Sequence, residues 1–151
     1  MEVIFLKIAV ITGASSGMGR EFVLQLAREK QLDEIWVIAR RTDRLESLQS
    51  EVKTRIRPIS LDLTKEESIA DYAALLEQEK PVVDVLVNAS GVGRFGRFSD
   101  MELETLYRMI DLNTKAYVGM TYATLPYLTK GSEVYQLDSL TFIQIFIFKL
   151  I

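Results

Sequence analysis

Three glycines stand close together in Thr12-Gly13-Ala14-Ser15-Ser16-Gly17-Met18-Gly19, at spacings of four and two. Glycine lets a backbone turn tightly and approach a charged group with no side chain in the way. A helix opening at such a turn has first N–H groups without intrahelical partners, and its dipole presents positive charge there. Both features suit a pyrophosphate. About 20 residues beyond Gly19 come Arg40 and Arg41, where an acid would instead bind a ribose 2′-hydroxyl and favour NAD. A guanidinium at that place can hold a 2′-phosphate through charge-assisted bonds, which favours NADP(H). The plainer alternative is two solvated arginines ahead of a helix.

What is missing narrows the chemistry further. The chain has no cysteine and no histidine. A Ser-His-Asp triad, a thiol nucleophile, disulfides and thiolate zinc sites are therefore excluded. Acid–base work falls to Asp, Glu, Lys, Tyr or a bound cofactor. With 18 basic and 21 acidic residues the net charge is −3, so no nucleic-acid footprint is present. No apolar run reaches the ~18 residues of a membrane span, and the first residues do not read as a secretory signal. We expect no membrane partner and a cytoplasmic location.

The elements that must position these residues alternate between strand and helix. The 151 residues, 48% hydrophobic and 26% charged, suit one globular domain. Val3–Ile11 reads as a strand buried on both faces. Residues 17–30 carry the apolar stripe of a helix. Further strands are expected at 34–39, 55–61, 82–87 and 133–137. Helices are expected at 42–53, from Thr64 to Pro81, from Ser99 onward, and at about 112–128, where Pro126 can cut the last one short. Thr64-Lys65-Glu66-Glu67 and Ser99-Asp100-Met101-Glu102 read as capping boxes. Strands separated by helices imply βαβ units and a parallel sheet whose ligands sit at the carboxyl ends of the strands.

These motifs together resemble the short-chain dehydrogenase/reductase family over residues 3–140. The resemblance rests on TGASSGMG after the first strand, Asp62-Leu63 after the third, Asn88-Ala89-Ser90-Gly91 after the fourth, and Asn113 in the following helix. It implies a Rossmann-like, doubly wound α/β fold in three α/β/α layers, incomplete on its C-terminal side. Gly13, Ser15, Ser16, Gly17, Met18 and Gly19 would then line the pyrophosphate and ribose of NADP(H), and Arg40 with Arg41 would meet the 2′-phosphate. Asp62 would accept from the adenine amino group, with Leu63 beside it. Asn88, Ala89 and Gly91 match the family's Asn-Asn-Ala-Gly segment beside the cofactor. Ser90 departs from it but is small. Asn113 would help hold a water of the proton relay, and Ser139 would polarise a carbonyl substrate. The activity implied is hydride transfer between a carbonyl and an alcohol, with a small-molecule substrate and a homo-oligomeric assembly.

One departure weighs against turnover. The family's Tyr-x-x-x-Lys pair, expected about a dozen residues past Ser139, occurs nowhere in the 151 residues. Tyr127 and Lys130 are three apart and ahead of the fifth strand. Residues 141–151, Thr-Phe-Ile-Gln-Ile-Phe-Ile-Phe-Lys-Leu-Ile, lack any turn residue and read as an atypical apolar tail after a partial nucleotide-binding domain at 1–140. We expect a truncated chain without normal turnover. The alternatives are an inactive NADP(H)-binding module and a fragment that self-associates.

Overall fold

The computed structural model describes residues 5–94 and 97–137, together with the backbone of 146–149. The elements run β1 (Lys7–Thr12), α1 (Gly17–Glu29), β2 (Glu34–Ala39), α2 (Thr42–Glu46, continued by a 3₁₀ turn at Ser47–Ser50), β3 (Arg55–Ser60), α3 (Glu66–Glu79) and β4 (Val82–Asn88). After them come α4 (Leu103–Ile110), a π turn (Asp111–Lys115), α5 (Ala116–Thr124), a 3₁₀ turn (Leu125–Tyr127), β5 (Leu128–Gln136) and β6 (Phe146–Lys149). The sheet order is β3-β2-β1-β4-β5-β6. The first five strands are parallel, and β6 pairs antiparallel with β5. The expected doubly wound sheet is present, with an antiparallel edge strand in addition.

Alternating residues of the strands supply two cores. Ala9 and Ile11 of β1 and Val37 of β2 pack with Val23 and Leu26 of α1 and Leu45 of α2. Ile8 and Val10 of β1 and Trp36 of β2 pack with Tyr72 and Leu76 of α3 and Met120 of α5. Helices therefore cover both faces, which is why β1 and β2 read as continuous apolar runs rather than alternating ones. Strand order reverses between β1 and β4, and a crevice opens at the carboxyl ends there.

Both capping boxes are corrected. The Thr64 hydroxyl donates to Asp62 Oδ1 at 2.7 Å, so α3 starts two residues later with Lys65 at its N-cap. Ser99 Oγ donates to Asp100 Oδ1, and α4 starts at Leu103 with Glu102 at its N-cap. In each case a neighbouring carboxylate captured the hydroxyl before the backbone could. The helix expected from 112 begins at Leu103 and runs through the π turn to Thr124, where the Pro126 turn closes it. β5 begins at Leu128 rather than Glu133. Its register against β4 shifts between Val83 and Val85, and Ser132 covers the irregularity by donating to the Val83 carbonyl and accepting from Thr129 N–H.

Candidate functional site

The glycine-rich turn is built by three different constraints. Gly13 has φ +65°, and a Cβ there would lie 2.5 Å from the Ala89 carbonyl oxygen. A side chain at Gly19 would collide with the Gly13 carbonyl, so this glycine lets α1 pack onto the turn. Gly17 has φ +60°, but nothing lies within 4 Å of a Cβ built on it. Two glycines are thus demanded by the chain's own packing, and Gly17 by its backbone angle and an open approach to the first turn of α1. No side chain caps α1 at Ser16, and no acid lies in its first turn.

Thr12 ties this turn to the next loop. Its hydroxyl oxygen accepts from Ala89 N–H at 3.0 Å and from Ser90 N–H at 3.1 Å. Beyond the last paired residues of β1 and β4, Ile11 and Val87, this buried oxygen continues to tie the two walls of the crevice together. On the far side of β4, Asn88 Nδ2 donates to Thr121 Oγ1 at 3.1 Å and Gln136 Oε1 at 3.0 Å. Asn88 thereby binds β4 to α5 and β5 from beneath the cleft rather than lining it.

The cleft encloses about 320 Å³ and is lined by residues from the four loops after β1, β2, β3 and β4 and by the helix that follows β4. Gly13, Ser15 and Ser16 form one wall, Arg40 and Arg41 the second, and Asp62 with Leu63 the third. Ala89, Ser90 and Gly91 form the fourth, and Arg108 with Leu112 close the helix side. Arg41 Nη2 donates to Ser15 Oγ at 3.3 Å. Burial alone would raise the Asp62 carboxyl, but hydrogen bonds from the Thr64 side chain and backbone, with the charges of Arg108 and Arg40, hold it below its ordinary value. It is a carboxylate, free on its remaining lone pairs to accept.

The cleft brings together many, but not all, of the residues singled out in the sequence. Met18 is 61% exposed on the outer side of the turn, and neither Met18, Gly17 nor Gly19 lines the enclosed volume. Asn113 is buried in the π turn, with Oδ1 accepting from Val92 N–H and Nδ2 donating to Val92 O, both at 2.9 Å. This reciprocal pair anchors the loop after β4. Ser139 lies outside the described residues. Arg108 was missed; the available signal was its position four residues before Leu112, on one face of the helix after β4.

The family model for short chain dehydrogenases matches residues 7–134. The chain belongs to the short-chain dehydrogenase family. An uncharacterized oxidoreductase of Staphylococcus epidermidis is 32% identical over 127 residues, covering 84% of this chain and 54% of that protein. The chain spans about half the length of the curated relatives it matches. Among solved structures, an alcohol dehydrogenase from the archaeon Thermococcus sibiricus complexed with 5-hydroxy-NADP superposes with TM-score 0.72 at 32% identity, covering 80% of this chain and 52% of that one. A short-chain dehydrogenase from Sphingobium yanoikuyae in complex with NADPH gives 0.71 at 29% identity, covering 80% of this chain and 48% of that one. Among the described residues no helix is long and apolar enough to cross a membrane, and no cluster of candidate metal ligands occurs.

Proposed function

We propose that this chain holds NADP(H) for an oxidoreductase that interconverts a carbonyl and an alcohol, with the 2′-phosphate at Arg40 and Arg41. One observation carries the reading. Arg40 and Arg108 enter the cleft without an ion pair among the described residues, and the carboxylate that lines it, Asp62, is engaged by Thr64. Three guanidinium groups, Arg40, Arg41 and Arg108, share the cleft with the single carboxylate of Asp62, and this excess of positive charge favours an anionic guest. The start of α1 fits the pyrophosphate, since it carries no side-chain cap and no first-turn acid, and nothing lies within 4 Å of a Cβ built on Gly17. Solved relatives with NADPH and 5-hydroxy-NADP support the choice of cofactor.

The residues divide the work by position. Ser15, Ser16 and the amides around Gly17 would bind the pyrophosphate, and Asp62 would accept from the adenine amino group. Leu63 and Leu112 would flank the ring. Asn113 would orient the loop from Gly91 to Val92 through its paired bonds. Ser139 would polarise the substrate carbonyl. The bound cofactor supplies the hydride. No Tyr-x-x-x-Lys pair is among the 151 residues, so we assign to them cofactor binding without normal turnover.

Titrating the purified chain with NADPH and with NADH, read by nicotinamide fluorescence, tests this. Tighter binding of NADPH, lost with Arg40→Ala, is expected. No binding, or a preference for NADH, overturns the cofactor assignment. Robust oxidation of NADPH with a ketone panel by the 151-residue chain overturns the assignment of binding alone.

A further inference from the structure

We infer that Arg108 lies flat against the face of the adenine ring and binds it by stacking, so that it strengthens NADPH and NADH alike. The inference rests on the reading of the cleft as a nucleotide site. Its starting observation is that α4 buries none of its residues, yet one of its arginines lines the cleft. Arg108 has no ion pair among the described residues. Glu104 stands one turn before it without pairing, and Asp111, three residues on, is taken by Lys115 at 3.1 Å. The guanidinium is therefore not spent on its own helix.

The surrounding charges separate Arg108 from the other two arginines. Arg41 Nη2 donates to Ser15 Oγ at 3.3 Å, which ties it to the glycine-rich turn and so to the phosphates. Arg108 stands on the helix side of the cleft, with Leu112 one helical turn along. The Asp62 carboxyl feels the charge of Arg108 ahead of that of Arg40. Thr64 occupies Asp62 Oδ1 through both its hydroxyl and its backbone N–H. The remaining oxygen is the acceptor for the adenine amino group. Arg108 thus neighbours the base and not the phosphate chain.

A guanidinium beside a neutral heteroaromatic ring binds best through its plane. It lies over the ring face, where cation–π attraction and dispersion act together. Asp62 takes the edge of the base, so the helix side is left with a face. Leu112 covers one part of that face, and Arg108, one turn away, extends it. Arg108 and Asp62 line the same cleft without forming an ion pair, so a slot stays open between them for the ring.

Variants of the full 151-residue chain, titrated with NADPH and with NADH by nicotinamide fluorescence, test this. Arg108→Ala should weaken both nucleotides by the same factor, about fivefold to twentyfold. Arg40→Ala should instead discriminate between them. Arg108→Tyr should restore most of the affinity, because a neutral ring also stacks. Arg108→Lys should restore less, because an ammonium group is not flat. The circular dichroism spectrum should be unchanged throughout, since Arg108 is exposed. A loss confined to NADPH would mark a phosphate contact and overturn the inference. So would rescue by Arg108→Lys with none by Arg108→Tyr, or Arg108→Ala binding both nucleotides as the wild type does. A wild-type chain that binds neither nucleotide overturns the nucleotide reading itself and this inference with it, a result distinct from wild-type binding that Arg108→Ala leaves intact.

Discussion

The two ends of the parallel sheet treat charge in opposite ways. At the amino ends of the strands, Lys30 Nζ lies 3.2 Å from Asp84 Oδ2 and 3.1 Å from Glu133 Oε1, and Lys7 Nζ lies 3.4 Å from Asp84 Oδ1. The Tyr135 hydroxyl donates to the other oxygen of Glu133, and Asp33 accepts from Lys7 N–H. Cations and acids interleave across β1, β4 and β5. At the carboxyl ends, Arg40, Arg41 and Arg108 share a cleft with Asp62, and the nearest groups to that acid are its own Thr64 contacts. Balanced charge closes one end of the sheet, and unbalanced charge leaves the other prepared for an anion.

The sharpest way to break this contrast is through the turn that shapes the upper end. Gly19→Val should destabilise the chain by about 3 kcal/mol or more in urea unfolding, because the clash is with backbone that cannot move aside. Gly17→Ala should cost only about 1 kcal/mol, for its positive φ, and on the proposed pyrophosphate site at the start of α1 it should also weaken NADPH binding in the fluorescence titration.

Next in size is the clamp between the walls. Thr12→Val leaves Ala89 and Ser90 N–H without their acceptor, so a loss of about 2 kcal/mol is expected in the same unfolding measurement. Val in place of Thr keeps the shape, so a fall in stability reports the hydrogen bonds rather than packing.

Arg40→Ala should weaken NADPH binding by roughly tenfold to a hundredfold, the worth of a charge-assisted contact, and NADH binding little. Equal losses for the two nucleotides would blur the division of the cleft. Stability should change little, since Arg40 is exposed and has no ion pair among the described residues.

The smallest expected effect belongs to the balanced end. The Tyr135 hydrogen bond pulls the Glu133 carboxyl down, burial pushes it up, and Lys30 pulls it down again, leaving it below its ordinary value. A carboxyl lowered in the folded state stabilises the fold above its unfolded value, near pH ~4.3, and loses that contribution as pH falls through the lower folded value. Glu133→Gln should therefore cost about 0.5 kcal/mol at neutral pH, a small figure because Glu133 is 35% exposed and water screens it. It should also flatten the acid limb of the stability profile, measured as urea midpoint against pH.

Much of this was legible in advance where short-range chemistry decides. β2 runs over Glu34–Ala39 as its apolar run implies, and α1 starts at Gly17, the second of the three glycines, as expected. The capping boxes failed because Asp62 and Asp100, in neither motif's rule as acceptors, took the hydroxyls. Arg108 stayed hidden because it reaches the cleft on a helix whose start the Ser99 signal misplaced.

By itself the amino-acid sequence determined the strand–helix alternation and the bare-backbone turn, because apolar period and glycine's missing side chain act within a few residues. Only the tertiary structure decided which charges are neutralised and which face of α4 stays uncovered. Ion pairing and burial depend on residues distant in the chain meeting in space, as Lys30 meets Glu133, and no local pattern carries that distance.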